Sequence, residues 1–132
     1  MRIVGSRNSF ELHVSSSLFD NNVVVGGKCY NYKRLVIPKV IMDYFLENNP
    51  ELTYIYFYFV DDSIFISVER LHGLKYSKRK VMKISGKNSY FVNLSLKSFE
   101  KVGVDVGDNV LFVIGRDCLK SSDKVGIELV FE

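Results

Sequence analysis

The stretch Tyr54-Ile55-Tyr56-Phe57-Tyr58-Phe59-Val60, then Asp61-Asp62-Ser63, then Ile64-Phe65-Ile66-Ser67-Val68 constrains the fold more than any other part of the chain. Aromatic and β-branched residues fill two short runs, and such residues fit a pleated strand better than a helix. The segment is expected to be a β-hairpin that turns at Asp61-Asp62-Ser63. Side chains alternate across a strand, so Tyr54, Tyr56 and Tyr58 share one face and Ile55, Phe57 and Phe59 the other. Both faces then need cover. The tyrosine face is expected to be a packing or dimer surface, since aromatic side chains are common at interfaces. Base stacking, as single-strand binders use it, is the alternative. Asp61 and Asp62 are read as turn residues, because a carboxylate pair for acid–base or metal chemistry has no reason to sit between two apolar strands.

A second pattern recurs along the chain. Residues 5–20 lie over residues 85–100 without a gap, and Asn8 matches Asn88, Ser9 matches Ser89, Ser15 matches Ser95 and Phe19 matches Phe99. Alternating apolar positions such as Phe10, Leu12 and Val14 give way to helical spacing after a serine. A looser copy at 32–45 puts Pro38 at the same junction. Serine at a helix start accepts free N–H groups of the first turn, and proline there has its φ already set. Strands are thus expected to feed short helices after Ser15, Pro38 and Ser95. Beyond the last helix, residues 104–108 read as a turn, 109–114 as a strand, 115–124 as a long loop and 125–131 as a strand. Residues 69–80 are poor in apolar side chains and rich in charge. The expected organisation is a first half at 1–70 with an extra N-terminal partial repeat, a basic connector at 71–80 and a second half at 81–132. The halves need not fold separately, since their copies can share one core.

Three pieces of the chain carry a resemblance. Gly86-Lys87-Asn88-Ser89-Tyr90-Phe91-Val92-Asn93-Leu94, the helix to Val102-Gly103, and Val106-Gly107-Asp108-Asn109-Val110-Leu111 resemble the AbrB-like swapped-hairpin family of DNA-binding regulators and antitoxins. Gly-Asp before a strand is the family's most familiar mark. Arg34-Leu35-Val36-Ile37-Pro38-Lys39 resembles its strand-to-helix junction, where Ile-Pro-Lys opens the short helix. The chain departs from the pattern at Ser95-Leu96, where the family shows Pro-Lys, and at Pro50-Glu51-Leu52-Thr53, where a Gly-Asp turn belongs. The resemblance implies a mainly β fold with short helices, a swapped-hairpin or double-psi-like barrel built from repeated strand-helix-strand units. It implies duplex DNA as partner and a homodimer. It also places Arg7, Lys33, Arg34, Lys39, Lys87, Lys97 and Lys101 at strand-helix junctions that present cations to phosphates and base edges. Guanidinium groups at Arg7 and Arg34 can grip phosphate or guanine in bidentate fashion, whereas lysines supply point charge. Solvated surface charge is the competing reading for each of them. Asn8-Ser9 and Asn88-Ser89 are expected to form turns, with contact to nucleic acid as the alternative.

Catalysis has no visible centre. His13 and His72 lack a second ligand or base at a useful spacing, and no serine or cysteine lies in a nucleophile motif. Cys29 and Cys118 lack the paired spacing of a zinc or redox site and are expected to be buried free thiols. No cofactor or metal is implied. A 132-residue chain with 47% hydrophobic residues can build a core. No apolar run approaches the roughly 18 to 20 residues of a membrane helix, and the N-terminus turns polar too soon for a signal peptide. A cytoplasmic protein with no membrane partner is expected. The net charge of +3 permits nucleic-acid binding without requiring it, and the clustering of Lys75, Lys78, Arg79, Lys80 and Lys83 is more informative. The leading expectation is a DNA-binding transcriptional regulator. The alternative is a protein-interaction or antitoxin-like assembly module that uses the tyrosine face and edge strands.

Overall fold

The hairpin forms where the alternation places it. β4 (Tyr54–Val60) and β5 (Ser63–Ser67) pair antiparallel, with Val60 opposite Ser63 and a two-residue turn between them. Asp61 takes a φ of +52° there, a left-handed conformation that aspartate tolerates better than most residues. The computed structural model describes residues 2–5, 10–84, 86, 88–115 and 127–132, with the backbone alone for 2–5, 10, 11 and 115. The remaining strands are β1 (Arg2–Gly5), β2 (Phe10–Val25), β3 (Lys28–Ile37), β6 (Lys75–Lys80), β7 (Met82–Lys83), β8 (Tyr90–Ser95), β9 (Asn109–Gly115) and β10 (Ile127–Phe131). The helices are α1 (Lys39–Asn48) and α2 (Leu96–Lys101).

These strands form one sheet in the order β6-β4-β5-β10-β9-β2-β3-β8-β7, with β1 attached to β2. The two ends of that order meet. Lys80 of β6 lies opposite Tyr54 of β4, Met82 of β7 lies opposite Phe91 of β8, and only Val81 separates β6 from β7. The result is a mainly β, nearly closed antiparallel barrel of nine strands. Closure removes most of the unpaired edge that an open sheet would expose. Inward positions supply the core: Leu35 and Ile37 from β3, Val92 and Leu94 from β8, and Val110 and Phe112 from β9 are all buried. Each such side chain contributes roughly 1.5–3 kcal/mol on burial.

Residues before and after 71–80 share this core, because β10 bridges β5 and β9, β2 lies on β9 and β3 lies on β8. The expected basic connector itself carries β6, a stave of the barrel. Its alternation is Ser77 and Arg79 less exposed against Lys78 and Lys80 exposed, a half-covered strand whose charges hid the pattern.

Both helices expected after β3 and β8 are present. α1 begins after Pro38, whose carbonyl accepts the N–H groups of Ile41 (3.0 Å) and Met42 (2.9 Å), and Ile41, Met42 and Phe45 are buried. α2 begins after Ser95, but the serine hydroxyl makes no capping bond. The helix is held by packing instead: Phe99 is fully buried, edge-on to Phe57, Phe59 and Phe131. It ends at Gly103, with φ +76° and the Val104 N–H bonded to the Phe99 carbonyl, a reversal that favours glycine.

The first copy of the repeat is different. No helix follows Ser15, because β2 runs unbroken from Phe10 to Val25. Its Glu11–Ser17 segment pairs with β9 and its Leu18–Val25 segment with β3. Those ladders satisfy the backbone groups a helix start would leave open. Phe19 and Phe99, aligned in the repeat, have opposite environments, one 56% exposed and the other at 0%. The strand-helix-strand unit therefore does not recur after Ser15.

Candidate nucleic-acid interface

β2 and β3 outrun the barrel. β9 leaves β2 at Ser17 and β8 leaves β3 at Tyr32, yet β2 and β3 stay paired as far as Val25 opposite Lys28. They project as a two-stranded arm, roughly 20 Å from Phe19 to its tip at strand spacing. The tip is Gly26-Gly27, both at positive φ (58° and 80°), as the tight hairpin turn matching strand twist requires. Val24 and Val25 are 70% and 61% exposed, and Tyr30, also exposed, stacks on Tyr32 at 6.4 Å. Among the described residues no strand pairs with either outer edge of the arm.

Two arginines flank its root. Arg34 lies opposite Phe19 on β2 and Asn93 on β8, and its guanidinium sits over the Phe91 ring at 4.1 Å. Arg79 reaches from β6 to the Tyr32 ring at 5.1 Å, across the place where β6 and β8 are neighbours without a ladder. The Nε of each is buried and finds no hydrogen-bond partner among the described residues. A ring under a guanidinium holds it by its face and, with Nε buried, leaves the terminal Nη–H groups as its donors for acceptors. Asn21 donates to Asn93 Oδ1 at 2.9 Å beside them, and Phe19, Asp20, Asn21, Arg34, Val36 and Ile84 line a shallow depression of about 300 Å³.

The residues expected to contact DNA divide into groups. Arg7 and Lys87 lie outside the described residues. Arg34 stands at the arm root. Lys97 and Lys101 are exposed on α2, which follows Ser95, the residue opposite Tyr32. Lys39 belongs to the other end of the barrel, because antiparallel β3 and β8 deliver α1 after Ile37 and α2 after Ser95. The two helix starts are separated by about five strand residues, roughly 17 Å. Lys39 is exposed there, 3.7 Å from Asp43.

Lys33 is occupied within the chain. Its side chain is only 12% exposed, and Nζ donates to Asp108 Oδ1 at 2.8 Å and to the Gly107 carbonyl at 2.9 Å. The hydrogen bond and the charge of Lys33 hold the Asp108 carboxyl below its usual range. The Asp108 carbonyl also accepts the Leu18 N–H at 2.8 Å. A Cβ on Gly107 would run into the Glu132 main-chain carbonyl. The Gly-Asp pair thus acts as a clamp joining β2, β3 and the end of β10. Arg79 was legible only as part of a charge cluster; its pairing with Tyr32, distant in sequence, had no local signal.

The tyrosine face splits in two. Tyr58 is fully buried: its hydroxyl donates to the Glu69 carbonyl and accepts the Leu71 N–H, both at 2.6 Å. Burial pushes its phenol above the usual range. Tyr54 and Tyr76 are each 39% exposed, with Lys78 over the Tyr54 ring at 4.0 Å and Arg70 over Tyr76 at 5.6 Å.

Cys29 is exposed on the arm rather than buried, because the strands there leave the barrel; Cys118 lies outside the described residues. Asn88-Ser89 sits in the β7–β8 connection, where the Ser89 carbonyl accepts the Ile84 N–H at 2.8 Å, while Asn8-Ser9 lies outside the described residues. Among the described residues no three His, Cys, Asp or Glu side chains converge, and no helix is long and apolar enough to cross a membrane. No family model matches the chain, and no curated protein or solved structure matches it.

Proposed function

We propose that this chain is a duplex-DNA-binding regulator of AbrB-like type, with the β2–β3 arm as reader and the arginine pair at its root as grip. The observation that carries the reading is the placement of Arg34 and Arg79, each guanidinium held over a ring, at the foot of a free-standing ribbon. The major groove of B-DNA admits a two-stranded β-ribbon, and β-ribbon readers use it. Asn21, Asn22, Tyr30 and Asn31 on the arm carry donors and acceptors for base edges, and Lys28 adds a cation at the tip. Lys97 adds charge from the same end of the barrel. In this reading Lys33 serves the scaffold and Lys39 takes no part.

Anisotropy titration of a labelled mixed-sequence duplex at two salt concentrations tests it. Parent binding should weaken steeply with salt, and Arg34→Ala combined with Arg79→Ala should cost about tenfold or more. Replacing residues 22–31 with Asn-Gly joins Asn21 to Tyr32, which already face each other, and should keep weak binding while losing sequence preference. No binding by the parent at low salt, or unchanged affinity in the double variant, overturns the proposal.

A second reading is favoured by the free edges and apolar tip of the arm: a protein-interaction or antitoxin-like module, or a two-fold homodimer, in which a partner strand extends the ribbon. A mass by light scattering that falls to the monomer value when the arm is removed supports it. A monomer with the arm intact excludes the homodimer.

A further inference from the structure

The β4–β6 face of the barrel presents a second arrangement that the arm does not use. Register places Tyr54 opposite Lys80, Tyr56 opposite Lys78 and Tyr58 opposite Tyr76, so the six side chains share the outer face of two neighbouring strands. The flanking loop takes up the Tyr58 hydroxyl and sets Arg70 over the Tyr76 ring. Tyr54 and Tyr76 remain accessible, Tyr56 is half-buried with its ring 6.1 Å from Tyr58 and 5.6 Å from Tyr76, and Lys78, Lys80 and Arg70 are exposed around them. Glu69 is the acid nearest in sequence, in the flanking loop.

Accessible rings framed by cations are what an unpaired polynucleotide requires. Every base has a π-face that can stack on an aromatic side chain whatever its sequence, and the adjoining phosphates need positive charge. Tyrosine suits this better than an aliphatic surface, since its hydroxyl stays wet while its ring packs. Lys78 lies over Tyr54 at 4.0 Å and Tyr54 is 39% exposed, so an ammonium stands beside any base that stacks on this ring. A duplex hides its base faces, so this surface and the arm root select different forms of nucleic acid.

We infer that the Tyr54–Tyr56–Tyr76 face, with Lys78, Lys80 and Arg70, is a binding site for single-stranded nucleic acid of relaxed sequence preference. It is independent of the duplex reading: it uses the outer face of β4 and β6, whereas Arg79, between Lys78 and Lys80, projects from the opposite face of β6 beside Ile55.

The test is binding of labelled oligo(dT), oligo(U) and a mixed-sequence single strand to the full chain, by anisotropy and by tyrosine fluorescence, which is unobscured because the chain has no tryptophan. The parent should bind, with quenching of tyrosine emission. Tyr54→Ala and Tyr76→Ala should each weaken binding about fivefold or more, while Tyr54→Phe and Tyr76→Phe should stay within about twofold. Lys78→Ala with Lys80→Ala should flatten the salt dependence by about 1.4 in log–log slope. Arg34→Ala with Arg79→Ala should leave single-strand affinity intact, which separates this site from the arm root. Equal loss with deoxy- and ribo-oligonucleotides places recognition in base and phosphate; loss with one alone narrows the ligand to that sugar. No single-strand binding at low salt, or loss in the arginine variant with none in the tyrosine variants, overturns the inference.

Discussion

Replacing Tyr58 with phenylalanine separates the buried half of the tyrosine face from the exposed half. The ring, fully buried against Tyr56 and Tyr76, is retained. What is lost is a hydroxyl that donates to the Glu69 carbonyl and accepts the Leu71 N–H at 2.6 Å each. A buried polar group deprived of its partner costs about 1–3 kcal/mol. Glu69 is exposed and its carbonyl can turn to water, whereas Leu71 is half-buried, so the net loss should be about 1–3 kcal/mol rather than twice that. In a chain of 132 residues this corresponds to a fall in Tm of roughly 3–10 °C. Circular-dichroism melting measures it, and amide exchange at Leu71 should accelerate. Alkaline behaviour gives an independent readout. Because the folded protein raises the Tyr58 pKa above the ordinary 10.0, the native state holds its proton more tightly. The associated stability is present below that pH and lost as pH climbs through the raised value. The phenylalanine variant should lack this loss. A Tm within about 1 °C of the parent with unchanged protection at Leu71 would refute the reasoning.

Two further perturbations probe the Gly-Asp clamp. Gly107→Ala should destabilise by about 1–3 kcal/mol, since the new Cβ meets the main-chain carbonyl of Glu132, whose N–H is bonded to the Asn109 carbonyl at 2.9 Å; an unchanged urea midpoint would count against the close approach. Asp108→Asn keeps the size and removes the charge facing Lys33. The lowered pKa of Asp108 means that the parent's stability from this pair is present above the ordinary carboxylate range and lost as pH falls through the lowered value. The variant should be less stable at neutral pH and flatter across the acid range; parallel pH profiles would show that the pair contributes nothing.

Local pattern determined the β4–β5 hairpin, the turn at Asp61-Asp62 and the start of α1 after Pro38, because alternation, turn chemistry and a proline helix start are written within a few residues; α2 also begins after Ser95, but without a serine cap and held by Phe99 against Phe57, Phe59 and Phe131, which lie 32–42 positions away. The same local signals misread Ser15, where ladders to β9 and β3 on opposite edges outweighed a serine's modest preference for a helix start. They also misread residues 75–80, whose outward lysines masked a strand half-covered on its other face. Lys33 and Arg34 are adjacent cations of the same strand, and nothing in their order says which is bound. Strand alternation sends one inward to Asp108, 75 positions away, and the other outward over Phe91, 57 positions away. Arg79 and Tyr32 meet only because the barrel closes. Which elements form depended on residues near one another in sequence; which cations are occupied and which are presented depended on long-range pairing, since a side chain's partner across a barrel is set by register that no local window contains.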